Sequence, residues 1–322
     1  MDVRLSPEQV ALRDAAAHLV DQFGPKTVAA LDDPERAAKL DTALTGAGWR
    51  ELRGASDSGA PLASAVEAAL VTEELARGLA DSAFIGPTLA ADLRRVAGAA
   101  AAPRPETIVD GSLAIDARGC ENALVLQSGG ELRQINLTTT HRAADLTREV
   151  APLSSEPIAP VGVVPPDGVL QWQALGLALT CADLVGVMQG ATTLATEYAS
   201  TRRQFGTPVG SFQAVQHLLA DALVATEGSR SITLYAAWAV DARAPEEAIA
   251  AGAMAKAYCS RAALAVCETA IQVHGGIGNT WDCLAHVYLR RALFSIDLFG
   301  GVGPNLERVL TAQGVGASSG LR

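Results

Sequence analysis

Aromatic residues are scarce in this sequence, and basic residues are outnumbered by acidic ones. Phe, Trp and Tyr make up 4% of the 322 residues, although apolar residues of all kinds make up 49%. Because Ala and Leu supply much of the apolar content, the composition favours packed helices and confines strands to short stretches. The net charge of −10 argues against a nucleic-acid partner, since contact with a phosphate backbone requires a basic face.

Cysteine is also sparse, and no CxxC pair occurs. The cysteines are odd in number and widely spaced: Cys120, Cys181, Cys259, Cys267 and Cys283. This pattern predicts buried thiols in a reducing compartment, and it provides no metal site.

No export or membrane segment is expected. Residues 1–8 carry acids where a signal peptide would have its apolar core. The most apolar window, Val169 to Met188, is interrupted by Gln171, Gln173 and Asp183, which favours a buried helix over a membrane span. The expected location is the cytoplasm.

The order of helical and strand-like segments predicts a mainly α protein with three domains. Residues 1–100 form an N-terminal helical domain, whose first helix has Ser6 as its N-cap, Pro7 as its first residue and Gln9 as the capping-box partner of Ser6. Residues 101–169 form a reduced β domain, in which Ser128-Gly129-Gly130 turns two strands into a hairpin. Residues 170–322 form a C-terminal four-helix bundle. The predicted bundle helices cover about 171–203, 211–241, 245–273 and 281–298.

Two breaks between the bundle helices carry residues suited to a nucleotide. The break after the third helix is Gln272-Val273-His274-Gly275-Gly276-Ile277-Gly278, whose glycines let backbone N–H groups approach a partner closely. Its other interpretation is a glycine C-cap between two core helices. The break after the first helix is Arg202-Arg203-Gln204-Phe205-Gly206, with Phe212-Gln213 shortly after it. Arginines beside such breaks, as also in Arg290-Arg291, are candidates for phosphate recognition.

The Arg-x-x-Phe-Gly and Gln-x-x-Gly-Gly-x-Gly motifs at these two breaks resemble those of the flavin-dependent acyl-CoA dehydrogenases. The resemblance is strong from Gln171 to Gly301, and it implies the fold of that family. It also implies that six residues contact the pyrophosphate and adenosine end of an FAD seated mainly on a neighbouring chain. These residues are Arg202, Phe205, Gln213, Gln272, Gly275 and Gly276.

Two parts of the family's pattern are missing. The family cradles the flavin ring with a Thr-Glu-Pro and Ala-Gly-Ser-Asp signature, which is absent between Glu106 and Asp167. The catalytic glutamate of the family corresponds to Phe299 or, in some members, to Gly176, and neither residue is an acid. The acids nearby, none of them in either register, are Asp183, Asp282, Asp297 and Glu307.

The resemblance therefore implies the short, non-catalytic subunit of an actinobacterial heteromeric acyl-CoA dehydrogenase, of the kind found in sterol degradation. A larger catalytic subunit, in an assembly with two copies of each chain, would supply the ring cradle, the glutamate and most of the acyl-CoA site. Two alternatives stay open. One is a self-sufficient flavoenzyme with a relocated base such as Asp297, and the other is a flavin-free assembly scaffold.

Overall fold

The computed structural model describes residues 4–153 and 159–315. Its N-terminal part contains the helices α1 (Pro7–Phe23), α2 (Pro34–Gly46), α3 (Ala65–Arg77) and α4 (Ile85–Val96). At the start of α1 the Gln9 amide donates to Ser6 Oγ at 3.2 Å, and the Ser6 amide donates to Gln9 Oε1 at 3.0 Å. These bonds satisfy backbone donors that the first helical turn leaves free. The predicted capping box is confirmed.

A seven-stranded sheet follows these helices. Its strands are β1 (Glu106–Asp110), β2 (Leu113–Ala114), β3 (Asn122–Leu126), β4 (Glu131–Asn136), β5 (His141–Arg142), β6 (Glu149–Pro152) and β7 (Ala159–Val163). Their order across the sheet is β5-β6-β2-β1-β3-β4-β7, with β1 and β3 as parallel neighbours. The predicted hairpin is confirmed, because Leu126 pairs with Leu132 and the turn residues Gly129 and Gly130 have φ values of 86° and 85°.

Long helices dominate the C-terminal part of the described chain. They are α5 (Pro166–Thr201), α6 (Gln213–Ala242) and α7 (Pro245–His274), followed by the shorter α8 (Ala285–Asp297) and α9 (Val302–Ala312). The three long helices pack against one another, α8 packs against α5 and α7, and α9 packs against α7. The mainly α architecture is confirmed.

Two details of the prediction for the C-terminal helices were wrong. The fourth bundle helix begins at Ala285 and not at Trp281, and the sequence did not predict α9 at all. Gly303 and Pro304 lie in the first turn of α9, and such residues are more typical of a loop.

The central helix is α5, which has 36 residues and packs against α3, α6, α7 and α8. By length and composition alone it could cross a membrane, yet 94% of its most apolar window is buried inside the protein. Gly186 lets α3 come close, since a Cβ at that position would lie 2.0 Å from the carbonyl oxygen of Glu73. We therefore interpret α5 as the core helix that the interrupted apolar window predicted.

A buried ion-pair cluster joins the sheet to the bundle. Asp183 of α5 accepts hydrogen bonds from Arg148 Nη2 at 2.8 Å, Arg291 Nη2 at 2.7 Å and Ser295 Oγ at 2.6 Å. Arg148, which lies just before β6, also pairs with Asp116 at 3.1 Å. Burial alone would raise the pKa of Asp183, but the two guanidinium groups hold it at about 2. Arg291 is buried in this cluster and paired with Asp183, so this candidate for phosphate recognition is not available to a ligand.

Candidate functional site

The two sequence motifs lie at the same end of the bundle. The ring of Tyr198, in the last turn of α5, stacks on His274, the last residue of α7, with centroids 4.5 Å apart. The Arg202 amide donates to the Tyr198 carbonyl at 2.8 Å, and Gly275 directly follows His274. The structure therefore brings together two breaks that are far apart in the sequence.

A tight hairpin loop presents Phe205 to solvent. Strand β8 (Arg203–Gln204) pairs with β9 (Thr207–Pro208), and the loop residues Phe205 and Gly206 have φ values of 53° and 80°. The left-handed conformation costs a residue with a side chain about 1–2 kcal/mol. Yet the Phe205 side chain is 93% exposed and has an edge contact with Phe212 at 6.2 Å. The backbone thus holds this ring where a partner from outside the chain can reach it.

The guanidinium of Arg202 is available at the base of this hairpin. Arg202 is exposed and caps the C-terminus of α5 through its amide, which donates to the Tyr198 carbonyl. Its own carbonyl accepts from the Val209 amide at 2.8 Å. No hydrogen bond or ion pair joins its side chain to any other residue that the structure describes. The neighbouring Arg203 instead donates to the carbonyl of Gly206 at 3.3 Å. A guanidinium with free donors is suited to bidentate contact with a phosphate.

The glycine break is a helix cap, and part of its backbone is left open to solvent. Gly275 ends α7 with a φ of 64°, and its amide donates to the carbonyls of Gln272 and Ile271. Gly278 is buried, and a Cβ there would lie 2.9 Å from the carbonyl oxygen of Ile271. Gly276, by contrast, is exposed, and a Cβ there would meet nothing within 4 Å. The loop is therefore a helix cap with one open backbone surface, beside the exposed side chain of Gln272.

Gln213 lies close to the hairpin. It is the first residue of α6, it is exposed, and it directly follows Phe212, whose ring contacts Phe205. Among the described residues, no side chain caps the N-terminus of α6. Contact between any of these six residues and a cofactor stays a prediction.

The two positions that correspond to the family's base lie against each other inside the protein. A Cβ at Gly176 would lie 2.3 Å from Cζ of Phe299, whose side chain is 8% exposed. Trp172 packs against the same ring at 5.6 Å in an edge-to-face arrangement, and its indole N–H donates to the Leu89 carbonyl at 3.1 Å. The ring of Phe299 therefore fills the space that both positions border.

The backbone of Phe299 is held from two sides, by residues that the sequence analysis missed. Its φ is 57°, its amide donates to Asp110 Oδ2 at 2.9 Å, and its carbonyl accepts from Arg308 Nη1 at 3.0 Å. The buried Asn305 donates to the carbonyls of Gly300 and Gly301 at 2.7 Å and 2.9 Å. Asp110 and Phe299 are 189 positions apart, so no short-range pattern could have linked them.

The acids considered from the sequence lie elsewhere. Asp183 belongs to the buried ion-pair cluster, whereas Asp282 and Glu307 are exposed. Asp297, the last residue of α8, is exposed and lines a groove on the outer face of that helix. It shares this groove with Arg290 and Phe294.

Comparisons with known proteins place the fold and the motifs in one family. A family model for the acyl-CoA dehydrogenase C-terminal domain matches residues 172–301. The acyl-CoA dehydrogenase IpdE2 of Mycobacterium tuberculosis is 32% identical over 326 aligned residues, which cover 94% of this chain and 96% of the relative.

Solved structures share the fold over nearly all of the chain. The Tcur3481-Tcur3483 steroid acyl-CoA dehydrogenase superposes with a TM-score of 0.82 at 21% identity, covering 97% of this chain and 99% of that one. The ChsE4-ChsE5 complex from Mycobacterium tuberculosis gives 0.75 at 20% identity, covering 98% and 99%. With a relative that matches nearly end to end and the motifs at one end of the bundle, the chain belongs to the acyl-CoA dehydrogenase family.

Proposed function

We propose that this chain is a subunit of a heteromeric, FAD-dependent acyl-CoA dehydrogenase and completes the FAD site of a catalytic partner subunit. Bound FAD would supply the hydride acceptor for the β carbon of the substrate, while a carboxylate of the partner subunit would remove the proton α to the thioester carbonyl. The contribution of this chain is to hold the cofactor and not to move the proton.

The observation that carries the proposal is the cluster of exposed side chains and open backbone at one end of the bundle. Arg202 offers free donors for the pyrophosphate, and the exposed Phe205 ring offers a face for stacking. The open surface at Gly276, beside Gln272, lets a ligand approach the backbone. Gln213 adds a carboxamide near the hairpin. These groups fit the adenosine and pyrophosphate end of FAD.

The packing around Phe299 supports the proposal that this chain has no catalytic base of its own. A general base must reach the proton that it removes. Here an aromatic ring occupies the space between the two family base positions, Phe299 and Gly176. Asp297, the acid that a self-sufficient enzyme would use, is exposed on the outer face of α8.

The partner would be a larger catalytic subunit, in an assembly with two copies of each chain. Structures of similar fold include one described as a complex and one described as a steroid acyl-CoA dehydrogenase, which favours a steroid-derived CoA ester as substrate. That substrate would be bound mainly by the partner, in the cytoplasm. We also propose domain limits at 1–100, 101–169 and 170–322.

Co-expression with the product of the adjacent gene tests this function. We expect the two proteins to co-purify as a yellow complex with a flavin absorption spectrum. The chain alone should be colourless or poorly soluble, because apolar residues such as Val224 and Leu223 on α6 are exposed.

The alternatives predict different spectra. A yellow homo-oligomer that reduces its flavin with an acyl-CoA would show a self-sufficient enzyme. A stable complex without flavin would show an assembly scaffold. Either result would refute the proposed role.

A further inference from the structure

An apolar groove of about 560 Å³ lies on the outer side of the bundle, where α6, α7 and α9 adjoin. Its lining includes Ala225 of α6, Met254, Tyr258 and Arg261 of α7, and Leu306 and Val309 of α9. The side chains of Met254, Tyr258 and Leu306 are 45%, 47% and 39% exposed. Exposed apolar side chains that cluster in this way mark a surface for interaction.

The exposed stripe of α7 along this groove has opposite charges on the two sides of Met254. Glu247 lies seven residues before Met254, and Arg261 lies seven residues after it. All three side chains are exposed. Because seven residues are close to two helical turns, the three side chains project from one side of α7, and each charge lies about 10 Å from Met254 along the helix.

Both charges are available to a partner. Arg261 makes no hydrogen bond or ion pair with another residue in the part of the chain that the structure describes. None of the residues three or four positions from it on α7 is an acid, so its own helix offers it no ion pair. Glu247 approaches Arg243 at 3.8 Å, but both side chains are largely exposed, and such pairs contribute little.

We propose that two copies of this chain meet at this groove, with their α7 helices crossing antiparallel on a two-fold axis at Met254. A two-fold axis puts the same surface on both sides of the contact. Each Arg261 then faces Glu247 of the other copy, so the ion pair forms twice, and Met254 and Tyr258 are covered. Glu268 also lies on this stripe, but a crossing that paired it with Arg261 would be centred beyond the groove.

This contact goes beyond the proposed flavin role and leaves the motif end of the bundle free. Gln272 lies 18 residues after Met254 on α7, which is about 27 Å along the helix. An unlike subunit at the motif end and a second copy at the groove therefore use different surfaces. In an assembly with two copies of each chain, the groove would join one pair of unlike subunits to the other.

Cross-linking of the full-length chain, alone or in its complex, tests the contact. Met254→Cys places a thiol beside the two-fold axis, whereas the five native cysteines are buried. A short bis-maleimide should therefore join two copies into a species of twice the 33.2 kDa chain mass. Leu293→Cys is the matched control, because Leu293 on α8 is 47% exposed but lies outside the groove, and it should not give this species.

Charge reversal tests how the two helices are aligned. Arg261→Glu should weaken self-association roughly ten-fold, measured by sedimentation equilibrium, because two ion pairs become two repulsive contacts. Adding Glu247→Arg should restore the affinity, since both pairs then form with reversed charges. Adding Glu268→Arg instead should not restore it.

A Met254→Cys protein that cross-links no better than Leu293→Cys would overturn the proposal. Restoration by Glu268→Arg but not by Glu247→Arg would do so as well, and so would a cross-link from Met254→Cys to an unlike subunit. A colourless protein that still gives the cross-linked pair of identical chains would support this contact and refute only the proposed flavin role.

Discussion

The contact between Gly176 and Phe299 allows a quantitative prediction for Gly176→Ala. The added methyl carbon would lie 2.3 Å, 2.4 Å and 2.8 Å from Cζ, Cε1 and Cε2 of the Phe299 ring. The ring has little room to retreat, because Trp172 packs on it and Asp110 and Arg308 hold its backbone. The substitution must therefore displace the ring or bend α5.

Two opposing effects set the size of the change. Replacing glycine by alanine inside a helix stabilises it by about 1 kcal/mol. Overpacking of a well-packed core costs about 1–3 kcal/mol and sometimes more. Because three ring atoms lie closer than any ordinary contact distance, we expect the clash to dominate. The free energy of unfolding should therefore fall by up to about 2 kcal/mol.

Urea denaturation followed by circular dichroism measures this change. Gly46→Ala is the matched control, since Gly46 is also helical and a Cβ there would meet nothing within 4 Å. Phe299→Leu, which shortens the side chain, should relieve the clash, so the double variant should show a coupling energy above about 0.5 kcal/mol. Equal stability of Gly176→Ala and Gly46→Ala, or strict additivity with Phe299→Leu, would refute the reasoning.

Three further predictions concern the FAD affinity of the complex, the role of Asp297 in turnover and the stability that the buried ion-pair cluster provides. Arg202→Ala should lower the FAD affinity of the complex roughly ten- to hundred-fold, measured after dialysis, and excess FAD should restore activity. Arg203→Ala is the control, since its side chain bonds the hairpin. Asp297→Asn should leave turnover within a few fold, whereas loss of a true general base costs about 10²–10⁴-fold. Asp183→Asn should lower the free energy of unfolding by about 3–5 kcal/mol, because it leaves two buried guanidinium groups underpaired. In the unmodified chain, the ionised Asp183 carboxylate stabilises the fold fully at pH values above about 3.9, which is the pKa of an Asp side chain in the unfolded chain. A pH titration of stability should show its loss as the pH falls through the folded value of about 2.

Local patterns were readable from the sequence because their partners are close along the chain. The capping box at Ser6 and the hairpin at Gly129 each involve a few adjacent residues, and both predictions were confirmed. The contact of Phe299 with Gly176 and with Asp110 depends on how distant elements pack, which no short-range pattern contains.

The pair Arg290-Arg291 shows a second limit of sequence reasoning. Both residues looked alike as candidates for phosphate recognition. Successive residues of a helix point about 100° apart, so one guanidinium faces the outer groove of α8 and the other enters the core. The packing of α8 on α5 decides which of the two arginines is buried and which faces the groove.

The buried cluster around Asp183 bears on how this protein can be divided in the laboratory. The matched family segment, residues 172–301, suggests a fragment that could be expressed by itself. Such a fragment would keep Asp183 and Arg291 but lose Arg148, and it would uncover the side of α5 that α3 protects. In this fragment the Asp183 carboxylate would have only one of its two guanidinium partners, and α5 would expose apolar side chains to solvent. Both changes favour aggregation over folding. The smallest unit that folds is therefore longer than the segment that sequence comparison delimits, and truncated versions should retain the chain from α3 onward.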